Sequence, residues 1–345
     1  MVGLDKDVAR LAQQPSKERL RGLQRIIPCS TIRAILKPLG KRRVCPRLPD
    51  WFMVWFVIAM GLFRPDSYRQ VFRWLQPRRG KKKGSTPGRP TLCEARKRLG
   101  VAPLRRLWNR VTALLATPKT PGAFHRGLRL MAIDGFVVNL ADTPANACIF
   151  GRPKGGRSTG AFPQARVVAL CETGTHVIWR QLIKPCRCSE VPMATTLLKY
   201  LQPDMLLLWD RGFLSYTNVT TVLRAKAHVL ARIKKNHIFK VIRRLRDGSY
   251  LAKLYPSSRH RQADRDGVMV RIVESTFKDP ALPGSGERHR LLTTLLDCKE
   301  HPAKTLVLLY HQRWEEELTI DELKTHQCEH LVLRSKTPQG VVQEI

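Results

Sequence analysis

Two short apolar runs constrain this chain more than any other feature: LRLMAID (128–134) and MLLLWD (205–210). Each is too short for a core helix and ends in an aspartate, with Gly135 or Gly212 close behind. Each therefore reads as a buried strand that stops at a turn. A strand stopping in Asp leaves a carboxylate at the rim of a sheet, where loops give room for a metal ion and a substrate. Around these runs, ARVVALCET (165–173) and THVIWRQLI (175–183) have the pattern of a hairpin, and HVLARIK (228–234) that of a further strand. MATTLLKYL (193–201) and SYTNVTTVLRAKA (215–227) read as helices. Strands interleaved with helices define an α/β fold. Residues 237–300 alternate short strands with the turns DGSY, DRDG and LPGSGE, a β-rich insertion, and a long helical stretch begins near Pro302.

Upstream of residue 128 the texture is helical and basic. Residues 18–40 and 51–76 carry apolar residues at helical spacing; the run from Trp51 to Phe63 is too short to span a bilayer and reads as a buried helix. PRRGKKKGSTPGRPT (77–91) is a flexible basic loop whose Lys81, Lys82 and Lys83 suit a phosphate backbone. The next segment has helix–turn–helix spacing, with Thr91 as a cap, Gly100 at the turn and a second helix from Pro103. A plain αα-hairpin fits that spacing equally. TPKTPGAFHRG (117–127) reads as a linker, which divides the chain into an all-helical basic domain, 1–125, and an α/β domain, 126–345, that carries the strand-end aspartates.

Charge points to the partner. Sixty-two Lys and Arg against 27 Asp and Glu give +35 and a pI near 10.7. Such an excess repels itself unless a polyanion neutralises it, and nucleic acid is the commonest one. Residues 1–130 hold 30 of the basic residues and only 6 of the acidic ones, so the front third is the expected DNA grip. The nine cysteines include no CxxC, and no His/Cys cluster has ligand spacing, which argues against a zinc ribbon or a zinc hydrolase. The polar start MVGLDKDVARLAQQ is no secretion signal, so a cytoplasmic, nucleoid-associated protein without a membrane partner is expected.

Oxygen-rich clusters of Asp and Glu suit magnesium or manganese, and two such ions about 4 Å apart can drive an in-line phosphoryl displacement. Asp134 and Asp210 are candidates for that work; two strand-end aspartates with no metal are the plain alternative. A third carboxylate comes from the late helix. Tyr310, Arg313, Glu317 and Lys324 fit Y-x2-R-x3-E-x6-K. At about 100° per residue they fall within a sector of roughly 60°, so all four project from one helical face. An acid flanked by two bases and a hydroxyl suits a metal-bound phosphodiester. An Arg313–Glu317 pair on a solvated face is the plain reading, and Asp321 shares the sector as a rival carboxylate.

Together these blocks resemble the bacterial insertion-sequence DDE transposases with the YREK signature, the insertion sequence four family. The likeness runs through AIDG at Asp134, DTPAN (142–146), FGRP (150–153), GAFPQ-x-R-V-x-AL (160–170), WDRGF at Asp210 and YHQRWEEELTIDELK. It implies an RNase H-like core, a mixed sheet of about five strands with helices, interrupted by a β-strand insertion before the glutamate helix. It also implies two Mg2+ or Mn2+ ions on Asp134, Asp210 and Glu317, with Tyr310, Arg313 and Lys324 gripping phosphates. Arg211 is a further phosphate contact or, equally, half of a strand-end salt bridge. Double-stranded DNA, as terminal inverted repeats and as target, is the implied partner, and cutting two ends in concert implies a homodimer in the DNA complex. Residues 237–300 hold no Trp where some relatives stack a flipped base, so that role is assigned to no residue. Relatives continue into further helix beyond the position of Ile345, so a truncated C-terminus is expected. The alternatives are an inactive copy that only binds terminal repeats and a structure-specific RNase H-like nuclease.

Overall fold

The computed structural model describes residues 16–40, 47–63, 65–76, 86–155, 158–234, 237–276, 288–311 and 332–345. Six helices come first: α1 (Ser16–Ile26), α2 (Cys29–Leu36), α3 (Asp50–Leu62), α4 (Tyr68–Leu75), α5 (Arg89–Leu99) and α6 (Ala102–Val111). Then follow β1 (Phe124–His125), β2 (Leu128–Leu140), α7 (Pro144–Phe150), the paired β3 (Lys154–Gly155) and β4 (Ser158–Thr159), β5 (Gln164–Glu172) and β6 (Val177–Pro185). The chain continues through α8 (Glu190–Leu197), β7 (Met205–Trp209), α9 (Tyr216–Arg224), β8 (His228–Arg232), β9 (Arg243–Arg244), β10 (Tyr250–Leu254) and α10 (Ser258–Gln262). Last are β11 (Val268–Thr276), β12 (Arg288–Thr293), α11 (Ala303–His311), β13 (Val332–Leu333) and α12 (Pro338–Glu344).

One compact unit takes in Met1–Ala113, Val138–Ala165 and Leu323–Ile345. Its core is built on α3, an apolar helix in which Met53, Val54, Trp55, Phe56, Ala59 and Met60 are each almost wholly covered. The larger of these side chains each contribute about 1.5–3 kcal/mol by leaving water. The two long helices expected over 18–40 and 51–76 are each broken in two. Pro28 is extended (φ −68°, ψ 154°) and starts α2, and Pro65 stands between α3 and α4. Proline has no N–H for the helical ladder and disfavours helix in the residue before it. A new cap then follows: the Ser67 hydroxyl accepts the Gln70 N–H at 3.3 Å. Thr91 is not the cap of α5. Gly88 takes that place with Pro90 in the first turn, and Gly100 (φ 72°) ends the helix in left-handed backbone.

The second unit takes in Leu114–Val137 and Arg166–Glu322. Its hydrogen-bonded strand order is β6-β5-β2-β7-β8, a five-stranded group, continued by β12-β11-β10-β9. β2, β7 and β8 run parallel, and β9 to β12 are antiparallel. The β-rich insertion does not form a sheet of its own. Its strand β12 pairs antiparallel with β8, Leu292 opposite Ala231, and so extends the main sheet. It also contains α10, which the strand-and-turn reading missed.

The insertion is tied to α11 by one guanidinium. Arg271 on β11 is fully buried, donating to Ser249 Oγ (2.8 Å), to the His301 carbonyl (2.7 Å) and to Asp247. Asp247 in turn accepts the N–H of Ala303, the first residue of α11, at 2.8 Å. Burial pushes the Asp247 carboxyl up, but the hydrogen bonds from Ser249 and Ala303 and the nearby Arg271 charge outweigh it and hold it below the ordinary value. Next to this tie, His125 Nε2 and His301 Nδ1 lie 3.0 Å apart, both buried, and burial lowers both imidazoles from their usual value.

Two stability predictions follow from these contacts. Asp247→Ala leaves Arg271 buried without its carboxylate and is expected to cost about 3–5 kcal/mol, read from urea midpoints at constant m. The lowered histidines make the unfolded chain bind more protons than the folded one below about pH 6.5. Stability should therefore fall as pH drops from about 6.5 toward 5, and His301→Gln should flatten that slope.

Candidate active site

The register of β2 against β7 builds the site. The strands pair in parallel with Ile133 opposite Trp209, so Asp134 and Asp210, the next residue on each, occupy neighbouring positions. Strand alternation then decides which face they take. Met131, Ile133, Leu207 and Trp209 belong to the core layer shared with Met193 and Leu197 of α8 and Val219 and Val222 of α9. Leu130, Ala132, Leu206 and Leu208 belong to the opposite layer, packed against Leu306 and Leu309 of α11. Asp134 and Asp210 continue this second series. Both carboxylates thus stand on the face that α11 covers, and both are half-buried.

Tyr310, the penultimate residue of α11, seats the helix at that edge. Its hydroxyl donates to the Trp209 carbonyl at 3.1 Å, one residue before Asp210. The phenol is thereby a strut at the strand end, in addition to the phosphate grip expected of it. Asp210 closes β7 and is followed by a turn in which Arg211 is exposed and the Phe213 N–H returns to the Asp210 carbonyl at 3.1 Å. Asp134 is placed differently from the expectation. It does not end its strand: β2 runs on to Leu140, because Phe136, Val137 and Val138 after the glycine keep a β-favouring pattern. Its Oδ1 accepts the N–H of Gly135 at 2.7 Å.

Gly135 exposes a supporting pair that the sequence reading passed over. A Cβ there would lie 2.7 Å from Cδ of Glu190, at the start of α8. Glu190 is ion-paired with Arg166 of β5, whose guanidinium also donates to the Cys186 carbonyl at 3.3 Å. Arg166 stood within the GAFPQ-x-R block, but nothing in the sequence linked it to Glu190. The glycine is thus a requirement of close packing behind Asp134. Glu317, Arg313 and Lys324 lie outside the described residues, as do Lys81, Lys82 and Lys83. Among the described residues no group of three or more His, Cys, Asp or Glu side chains is placed to hold a metal ion. Asp134 and Asp210 supply two hard oxygen donors at adjacent positions, which suits Mg2+ or Mn2+ better than a softer metal.

Comparison with known proteins identifies the family. Residues 125–345 match the family described as "Transposase DDE domain", and residues 17–109 match "Insertion element 4 transposase N-terminal". The chain is 31% identical over 308 residues to "Transposase InsG for insertion sequence element IS4" of Escherichia coli (strain K12), covering 87% of this chain and 67% of that protein. It is 26% identical over 171 residues to "Putative transposase InsZ" of the same organism, covering 49% of this chain and 56% of that protein. The "Cryo-EM structure of piggyBac transposase synaptic complex with hairpin DNA (SNHP)" aligns at a TM-score of 0.45 and 15% identity, over 91% of this chain and 70% of that one. The family match defines the class, a DNA transposase, here with a mixed α/β fold. The chain belongs to the DDE transposases, a family of metal-dependent DNA nucleases and strand transferases, and carries the N-terminal domain of the insertion element 4 group.

The close approach behind Asp134 can be tested directly. Gly135→Ala must displace Glu190 and disturb its pairing with Arg166, and is expected to destabilise the protein by about 1–3 kcal/mol in denaturant unfolding. A variant as stable as the parent would show that the contact is slack.

Proposed function

We propose that this chain cuts DNA at the ends of an insertion sequence and joins the freed end to target DNA. The observation that carries the reading is the neighbouring placement of Asp134 and Asp210 on the sheet face covered by α11. Glu317, from the segment following α11, completes the trio. Asp134, Asp210 and Glu317 would hold two Mg2+ or Mn2+ ions, which when bound activate an attacking hydroxyl and offset charge on the leaving oxygen. The protein's part is to orient carboxylates and phosphates. Tyr310 fixes α11 against the β7 edge and also contacts a phosphate near the element end. Arg211, exposed in the turn after Asp210, contacts a neighbouring phosphate, as do Arg313 and Lys324.

In the first step, water attacks phosphorus at the element end and the 3′-oxygen leaves as a hydroxyl after taking a proton. In the second, that 3′-hydroxyl attacks a phosphodiester, forming one P–O bond as another breaks. No covalent enzyme intermediate is needed. The helical region 1–125, with Lys81, Lys82 and Lys83, recognises double-stranded terminal repeats, and residues 126–345 form the catalytic domain. A homodimer holds the two ends, in the cytoplasm with the nucleoid.

Asp210→Asn tests the reading. It is expected to lower magnesium-dependent cleavage of an element-end duplex by at least about a thousandfold while duplex affinity changes less than about threefold. Cleavage at the parental rate would remove Asp210 from the site. Parental enzyme that cuts but gives no strand-transfer product from a labelled 3′-hydroxyl end would instead indicate a nuclease.

A further inference from the structure

The first unit holds a basic cavity that the carboxylate site does not use. It has a volume of about 280 Å3 and is lined by residues of α4, α5 and the C-terminal segment, among them Tyr68, Arg89, Arg96, Lys97, Arg334 and Lys336. Its organising group is Arg96, only 5% exposed. The guanidinium donates to Tyr68 Oη (2.5 Å), Ser335 Oγ (3.2 and 3.3 Å), the Gly340 carbonyl (3.1 Å) and Gln343 Oε1 (3.2 Å). Every one of these acceptors is neutral. Among the described residues Arg96 has no carboxylate partner, whereas buried guanidiniums are ordinarily paired with one.

The cations around it are concentrated. The Arg89, Arg96 and Arg334 guanidinium carbons lie 5.7, 5.7 and 5.3 Å from the Tyr68 ring centre. The nearby acids are committed elsewhere. Glu94 holds Lys97 at 2.7 Å, and Glu344 takes Arg334 Nε at 3.5 Å and the Ser335 N–H at 3.0 Å. That leaves the buried charge of Arg96 with exposed Arg89 and Lys336 at the mouth, and no ion pair for either of these two among the described residues. A cavity with fixed positive charge inside and mobile cations at the rim suits a phosphate oxyanion, which guanidinium forks bind with strong, charge-assisted hydrogen bonds.

We propose that this cavity is a second phosphate site, and that it takes a backbone phosphodiester of bound DNA. The proposal rests on the reading of the chain as a DNA-acting enzyme. The test measures binding of a fluorescein-labelled duplex by the full chain across a salt series, for the parent and for Arg89→Gln/Lys336→Gln. Both positions are exposed, so the double variant should melt with the parent. The expected result is roughly tenfold weaker binding near 0.1 M salt and a log–log salt slope shallower by about 0.9 for each phosphate lost. In the parent, the duplex should also slow alkylation of Cys93, which lines the cavity, relative to exposed Cys148 when sites are resolved by mass spectrometry. Parental affinity and slope in the double variant, with Cys93 unprotected, would overturn the proposal. If inorganic phosphate or pyrophosphate then raises the parent's melting temperature but not the variant's, the cavity serves a free anion and the DNA assignment is wrong. A parent that binds no duplex at all would instead sink the DNA reading on which the proposal rests.

Discussion

The parallel pairing of β2 with β7 is the constraint from which the site follows. With Ile133 opposite Trp209, two aspartates far apart in the chain come to adjacent positions on one face. The register is held by what each face buries. One carries the bulky Met131, Ile133, Leu207 and Trp209 against α8 and α9, and the other carries Leu130, Ala132, Leu206 and Leu208 against α11. A slip of one residue on either strand would turn all of its side chains over and drive a carboxylate into an apolar layer. Packing of ordinary hydrophobic residues thereby specifies the position of the two strand aspartates.

The insertion has a mechanical part in the same arrangement. Arg271 gathers the turn at Asp247, Ser249 and the carbonyl of His301, and Asp247 receives the first N–H of α11. The N-terminal end of α11 is therefore fixed by a residue of the insertion, and its C-terminal end by the Tyr310 hydroxyl on Trp209. Between these two ties Leu306 and Leu309 lie in the core layer beneath. A helix secured at both ends holds a defined place over this face of the sheet, which neither propensity nor burial alone would ensure.

Much of this was legible in the sequence for a simple reason. Parallel strands buried on both faces leave unbroken apolar runs, so LRLMAID and MLLLWD were visible without alternation. Asp210 stood out because a polar turn follows it at once. Asp134 looked like a strand end because of Gly135, yet that glycine serves close packing against Glu190 and the strand continues to Leu140. Local patterns also gave the β5–β6 hairpin and the strands of the insertion. They could not give the Arg271–Asp247 tie, the Arg166–Glu190 pair or the cluster on Arg96, which join residues 24, 24 and up to 247 positions apart. Prolines 28 and 65 were in plain view, but helical periodicity on both sides masked the breaks they cause.

Four carboxylates of the second unit are committed to the fold by ion pairs. In the second unit Glu172, Glu190, Asp247 and Glu274 are each held by a guanidinium, from Arg129, Arg166, Arg271 and Arg290. Glu172 is wholly buried and also takes the N–H groups of Leu115 and Ala116. A divalent cation at any of these four would have to displace a fixed positive charge and break hydrogen bonds that organise the fold. Asp210 follows the end of β7 and Asp134 lies beside it within β2, both half-buried, which leaves room for a cation and its waters. Two acids at neighbouring strand positions under α11, in a chain whose net charge is strongly positive, are the candidate place for DNA chemistry.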